Sequence, residues 1–489
     1  MNRLLFIIFV GAVCMADAAT VGKVICRQQW PWSANINVEY QLHDVAAPVD
    51  IVVQCFNGDE ELDYGEMHNA ISGEVFNVKS SGVKRFSIDP VKAFGDADVK
   101  IENFNVRLTA VAAEADYDEV LYRVYDLTGT RPYKYTDITR EDLMNGKYGS
   151  YETDYSRIGS GFNTTLPNVL IWTAVTNGTE YKTDKLVMRK IPAADVVWTI
   201  GAPEDEFSSN YSDRNGRETR HAVKLTEDYF ICVFEITQSQ AQKIFPNVAS
   251  LSDSTVFFGD LPDSAMRPHT GLDYNNIRGQ TTWGVQGGNS APKINWPTNS
   301  PMHIVYYNRF AGVMRDAMGK RGFDLPTEAQ WEFACRAGTS TGLNSGKQVT
   351  TVDVGKRCPN VDEVAWNVYS DYSNAPGGTN QTREVGLKKP NAFGLYDMHG
   401  NAEELCLDAY SHDISVFYDG SADVAHVDPL VDPVGPVGSD KPIRASRGGC
   451  FSHNNRYIRS AYRRSWSQSQ EFSFLGFRMV CPVGDDWEK

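Results

Sequence analysis

Between residues 20 and 130, apolar and polar residues alternate with a period of two. Ile36, Val38, Tyr40 and Leu42 share one face of a run, as do Ile51, Val53 and Cys55, and the pattern returns at Val99 with Ile101 and at Val106, Leu108 and Ala110. Successive side chains of a strand point to opposite faces, so each run predicts a strand with one buried side. Turn signals such as Asn57-Gly58-Asp59 separate the runs, and short alternating strands joined by turns predict an antiparallel β-sandwich over 20–130. Trp30-Pro31-Trp32 precedes the first of these runs and reads as a pair of core plugs.

From 131 to 184 the alternation gives way to Gly, Ser, Tyr, Asn and Thr, which predicts a loop-rich insertion ending in one linker strand near 169–174. Helical spacing then appears. Phe310, Val313, Met314 and Ala317 form an amphipathic face ahead of a stop at Lys320-Arg321-Gly322. Thr327 and Gln330 have the spacing of a capping box, which opens a helix with Trp331, Ala334 and Cys335 toward the core. Beyond 340 only short segments and loops are legible. The stretch 185–489 therefore predicts a second, mixed and loop-rich domain, and the chain as a whole belongs to the α+β class.

Charge and targeting signals narrow the function classes. The net charge is −15 and no Lys/Arg cluster is dense enough to track a phosphate backbone, which argues against nucleic acid as a partner. Residues 1–19 run from a basic start through an apolar core to small residues, the pattern of a secretory signal peptide cleaved near Ala18 or Ala19. That run is too short to span a bilayer comfortably and no later one approaches it, so no transmembrane segment is expected and a secreted, periplasmic or cell-surface location is. Cys26, Cys55, Cys232, Cys335, Cys358, Cys406, Cys450 and Cys481 remain after the signal, an even set without a small-domain framework. Cys26 and Cys55 lie in neighbouring strand-like runs and form the expected bridge, whereas Cys232, Cys335 and Cys406 read as buried packing. Asn163, Asn177, Asn210 and Asn380 begin glycosylation sequons, which matter only in a host that uses them.

Three motifs follow one another in the last third: LPTEAQWEFACRAG at 325–338, NAFGLYDMHGNAEELC at 391–406, and RGGC at 447–450 with LGFR at 475–478. Together they resemble the formylglycine-generating enzyme family, also called sulfatase-modifying factors, over roughly 185–482. The stretch 221–245 resembles that family's opening signature, a strand pair followed by a helix starting near Thr237. The resemblance implies a C-type-lectin-like fold. It also implies oxidation of a sulfatase cysteine to formylglycine, with copper(I) and a pair of cysteines, and bound calcium.

By the same resemblance the calcium ligands are the side chains of Asp397 and Glu404 and the carbonyls of Gly400 and Ala402. Calcium takes six to eight oxygens, and a tight turn between two carboxylates supplies several. The bland alternative pairs Glu404 with Arg447 or Arg478. Copper(I) suits two adjacent thiolates, but the positions after the glycine pair carry Phe451, Ser452, His453, Asn454, Asn455, Arg456, Tyr457 and Ile458, none of them cysteine. Cys450 is the one catalytic candidate, and it needs Cys481 or Cys406 folded beside it. The histidines show no HxxxH spacing, and no nucleophile elbow, P-loop or dinucleotide fingerprint is present.

The segment after RGGC is polar, aromatic and basic. His453, Asn454, Asn455, Arg456, Tyr457, Tyr462, Arg464 and Trp466 form an expected ligand face for a protein or glycan, while Arg447, Arg459 and Arg478 are assigned to framework. Three functional expectations follow: a non-catalytic member of the family that binds a ligand, a working oxidase acting on a sulfatase, or a surface or assembly protein whose last segment is variable filler.

Overall fold

The computed structural model describes residues 19–28, 35–62, 70–94, 103–113, 119–153, 170–202, 217–248, 262–279, 305–320, 322–351, 355–370, 381–412, 429–435 and 443–483. The signal-like segment, Trp30-Pro31-Trp32, the run at Val99 and Ile101, and the sequons at Asn163, Asn210 and Asn380 lie outside the described residues. No helix among the described residues is long and apolar enough to cross a membrane. The chain divides into two compact units, 1–119 with 140–147 and 120–139 with 148–489.

The first unit is the expected sandwich. One antiparallel sheet runs Thr20–Gln28, Ile36–His43, Gly82–Ile88, Ile71–Gly73, and the other runs Glu60–Glu61, Val49–Asn57, Phe104–Ala112. Ile36, Val38, Tyr40, Leu42, Ile51, Val53, Cys55 and Val106 are all buried in one shared core. Gly58 takes a left-handed backbone, φ 65°, at the predicted turn, where it joins Val49–Asn57 to Glu60–Glu61. The expected Cys26–Cys55 bridge is corrected: both are free thiols. Burial, with Cys26 beside it, pushes the Cys55 thiol up to about 12, which suppresses the thiolate that disulfide exchange requires.

The second unit begins earlier than the sequence pattern indicates. Val120–Asp126 pairs antiparallel with Lys185–Ile191 and with Tyr135–Thr139. They belong to a five-stranded sheet ordered Val480–Pro482, Tyr229–Cys232, Lys185–Ile191, Val120–Asp126, Tyr135–Thr139. An alternating run announces a strand but not the sheet that will accept it, so 120–130 looked continuous with the sandwich. Within the expected insertion, the linker strand is short, Leu170–Ile171, and leads into fully buried Trp172.

Three helices of this unit show how local sequence sets its elements. Gln238–Ile244 opens with a capping box between Thr237 and Gln240, and Glu328–Arg336 with the predicted one between Thr327 and Gln330. In each, the threonine hydroxyl accepts the N3 amide while the glutamine side chain receives the N-cap amide. Phe310–Met318 buries Phe310, Met314 and Ala317, and ends on Gly319 in the left-handed region, φ 64°. Trp331, Ala334 and Cys335 are fully buried, as their spacing predicted.

Candidate functional site

The three motifs meet on a four-stranded sheet ordered Arg463–Ser467, Ile443–Arg447, Glu403–Ala409, Leu475–Gly476. Glu403 and Glu404 are consecutive on one strand, so their side chains take opposite faces. Register carries the division across the sheet: Glu404 pairs with Arg447 and Arg447 with Arg463, while Leu405 pairs with Ser446 and Ser446 with Arg464.

The Glu404 face is an ionic network without solvent. Arg463 grips Glu328 with Nε–Oε2 and Nη2–Oε1 both at 2.6 Å, and Arg447 bridges Glu328 at 2.9 Å and Glu332 at 2.8 Å. Burial alone would raise both glutamates, but the guanidiniums prevail and hold them below the usual carboxylate range. Arg459 pairs with Glu218 at 2.7 and 2.8 Å, and Arg478 with Glu404. The framework assignment of Arg447, Arg459 and Arg478 agrees with these contacts.

The expected calcium residues come together in one buried turn. Asp397, Gly400 and Asn401 all have left-handed backbones, at φ 54°, 74° and 57°. Asp397 Oδ2 accepts the Gly386 amide at 2.7 Å, and its Oδ1 has no hydrogen-bond donor. Glu404 receives Arg478 on both oxygens, at 2.6 and 2.7 Å, and the Trp331 indole at 2.7 Å. Three donors leave a carboxylate one further acceptor direction, since its two oxygens offer about four. A third carboxylate, Glu235, lies beside Asp397 and Glu404 and accepts Asn401 Nδ2 and the Ala402 amide, both at 2.8 Å. Sequence reasoning missed it, although a lone carboxylate in the apolar run around 230–236 was the available signal. Burial, followed by the charges of Asp397 and Glu404, raises Glu235 well above its usual value; burial raises Asp397 to about 6. Among the described residues, the three-residue group whose ligating atoms gather within 4.8 Å is Glu403, Cys450 and His453, not this set; what the turn offers a hard cation is the open oxygen Asp397 Oδ1.

The other face carries the RGGC turn. Gly448 and Gly449 have φ of 87° and 70°, and a Cβ on Gly449 would lie 2.6 Å from the Tyr457 carbonyl. Only glycine lets the 455–458 loop approach so closely. Cys450 is buried, and its thiol is pushed up to about 12, first by burial and then by the Glu403 charge. The second thiol that copper(I) would require is not beside it. Among the described residues its potential co-ligands are Glu403 and His453. Cys406 projects to the opposite face of the sheet, next to Glu328 and Arg447, and Cys481 packs on Met188 with its sulfur at 3.9 Å. The donor set does not fit a two-thiolate copper centre.

The expected ligand face divides. Asn455 is fully buried, and its amide donates to the carbonyls of Thr351 and Lys356, both at 2.9 Å, so it is a framework residue. A polar residue in a loop gives no sign in sequence that its amide will hold two other loops. His453 and Tyr462 are likewise buried. Asn454, Arg456, Tyr457, Arg464 and Trp466 are half-buried. Arg456 lies 4.3 Å over the Tyr457 ring and Arg464 4.1 Å over Trp466, which also contacts Phe472 at 4.4 Å.

The sulfatase-modifying factor enzyme 1-like domain matches residues 186–483, and the chain belongs to that family. The formylglycine-generating enzyme of Streptomyces coelicolor is 32% identical over 207 residues, 42% of this chain and 59% of that enzyme. The chaperone protein LppX of Paenibacillus barcinonensis is 28% identical over 229 residues, 45% of this chain and 72% of that protein. Among solved structures, Treponema denticola variable protein 1 is 24% identical with a TM-score of 0.41, covering 61% of this chain and 95% of its own.

Proposed function

We propose that this protein is an exported family member that does not generate formylglycine and that binds a protein or glycan through the half-buried residues Asn454, Arg456, Tyr457, Arg464 and Trp466. The observation that carries this reading is the clustering of planar side chains at that face. Tyr457 packs on Tyr462 at 5.1 Å, Trp466 on Phe472 and Phe474 at 4.4 and 5.5 Å, and guanidiniums cover two of the rings. Rigid aromatic groups give contact area at low conformational cost, and Arg adds directed hydrogen bonds. The lone high-pKa thiol of Cys450 supports the non-catalytic half of the reading, since disulfide exchange with a substrate cysteine runs through a thiolate. Calcium, held by Asp397 and Glu404 within the 397–404 turn, would stabilise the sheet from behind.

The test uses purified full-length protein in two assays. In the first, protein loaded with copper(I) is incubated aerobically with a peptide carrying the Cys-x-Pro-x-Arg sulfatase motif, and the peptide mass is read. No conversion is expected, and conversion that disappears in Cys450→Ser would establish the oxidase instead. The second assay screens glycans and candidate proteins against wild type, Tyr457→Ala and Trp466→Ala. Binding lost in both variants supports the face, and binding indifferent to both overturns it.

A further inference from the structure

Beneath the aromatic face, Glu403, Cys450 and His453 are all buried, and one ligating atom of each lies within 4.8 Å of the other two. Glu403 Oε2, the oxygen that faces His453 Nε2 at 3.9 Å, is left without a hydrogen bond, and Nε2 itself is held by Arg464. A buried carboxylate oxygen left without a partner carries a substantial desolvation cost, and such an orphan calls for a ligand.

The rest of the site holds these groups in place. Glu403 Oε1 accepts the Ser446 hydroxyl and, at 2.8 Å, the Trp466 indole N–H, which leaves Oε2 turned toward the cluster. His453 Nε2 stands 3.9 Å from that oxygen. Its ring is packed among Tyr457, Tyr462 and Phe474, with centroids at 5.2, 6.2 and 6.3 Å. Outer contacts that orient a carboxylate and an imidazole, inside an apolar shell, are the supports that metal ligands need.

We infer that Glu403, Cys450 and His453 form a binding site for a divalent first-row transition ion of the zinc class, distinct from both a two-thiolate copper centre and the carboxylate turn at Asp397. One sulfur, one imidazole nitrogen and one carboxylate oxygen are the donor types that Zn2+ takes, and three protein ligands leave its fourth position open. The ion replaces the Cys450 thiol proton, so binding releases a proton to solvent.

Arg464 is the gate. Its Nη1 donates to His453 Nε2 at 2.6 Å and lies 3.8 Å from Glu403 Oε2, so it holds the position the ion would take. Its side chain is 37% exposed and already lies over the Trp466 ring at 4.1 Å while it holds His453, so displacement moves it outward toward solvent. Metal binding is thus coupled to displacement of a cation from the cluster, and removal of that cation strengthens it. The inference stands on the cluster alone and needs no ligand on the aromatic face.

The test titrates full-length protein, saturated with calcium, with Zn2+ and separately with Co2+. One equivalent is expected to bind. Co2+ should give visible d–d bands together with a thiolate-to-cobalt charge-transfer band, and the charge-transfer band should vanish in Cys450→Ser. Removal of one ligand in His453→Ala or Glu403→Gln should weaken Zn2+ by at least about tenfold, whereas Arg464→Ala should tighten it. Calorimetry in buffers of different ionisation enthalpy should report about one proton released per ion. Cys450→Ser is nearly isosteric and keeps the test open if Glu403→Gln fails to fold. Absence of stoichiometric binding overturns the inference, as does a cobalt spectrum unchanged in Cys450→Ser, which would put the ion at another thiol.

Discussion

Arg478 closes a two-point ion pair on Glu404, with Nη2–Oε1 at 2.6 Å and Nε–Oε2 at 2.7 Å, both side chains being fully buried. The same guanidinium donates to the carbonyls of Cys232 and Tyr396, each at 3.0 Å, so one side chain from the LGFR motif ties the Tyr229–Cys232 strand to the NAFGLYD loop. Breaking a buried pair from one side leaves an uncompensated charge. Arg478→Ala is therefore expected to cost roughly 3–5 kcal/mol, measured by urea denaturation. The double variant Arg478→Met with Glu404→Gln should lose less than Arg478→Ala alone. A loss for Arg478→Ala no larger than a surface substitution would refute this account.

Asp408 makes the stability depend on pH. It is buried and accepts the amides of Glu328 at 2.9 Å and Gly435 at 2.7 Å. Burial, followed by the Glu328 charge, pushes its carboxyl up to about 7. An unfolded aspartate titrates near 3.9, so between about pH 4 and 7 the folded chain holds a proton that the unfolded chain has lost. The contribution is full below about pH 4 and is lost as pH rises toward 7, with a span on the order of 4 kcal/mol. Asp408→Asn is expected to flatten this part of the profile. Urea midpoints of wild type and variant, compared from acid to neutral pH, decide it, and parallel curves would count against the assignment.

The parts of the fold legible in sequence were those governed by local rules. Thr327 and Gln330 announce their capping box because both partners lie within one turn, and Ile36 through Leu42 announce a buried strand face because burial alternates with the pleat. What could not be read depended on distant chain. Val120–Asp126 looks like any other strand until Lys185–Ile191 accepts it. Glu235 becomes a neighbour of Asp397 only through contacts that cross more than 150 residues of chain. Glu403 carried no assignment in sequence beside Glu404, yet the pleat sends it to the cysteine and its neighbour to Arg478. Asn455 and Tyr457 sit two residues apart in one polar loop, and only the folded loop separates framework from face.

Gly400 sets the shape of the turn between Asp397 and Glu404. Its φ is 74°, and an added Cβ would lie 2.1 Å from the Trp366 carbonyl oxygen. The clash is with backbone, which cannot rotate away, and the dihedral disfavours any side chain. Gly400→Ala is expected to destabilise the protein by more than about 1 kcal/mol, seen as a lower thermal midpoint. An unchanged midpoint would mean that the Ala365–Trp366 bridge to His399–Gly400 can yield.

The calcium assignment makes the last prediction. Asp397 Oδ1 lacks a donor, and burial beside neighbouring carboxylates raises both Asp397 and Glu235 above their usual range, so protons sit where a cation would. A hard divalent cation with oxygen preference displaces those protons and coordinates the open oxygen, and the gain appears as stability because the unfolded chain has no such site. Calcium at a hundred times its dissociation constant is expected to raise the unfolding free energy by about 2.7 kcal/mol. Chelation should reverse the shift, and magnesium should reproduce it poorly because it surrenders water reluctantly. Asp397→Asn should abolish the response while Glu403→Gln, on the opposite face, leaves it intact. Thermal unfolding of the three proteins with calcium, with magnesium and with chelator checks each point. A calcium response that persists in Asp397→Asn would move the ion away from this turn and leave Glu404 with a purely structural role as the partner of Arg478.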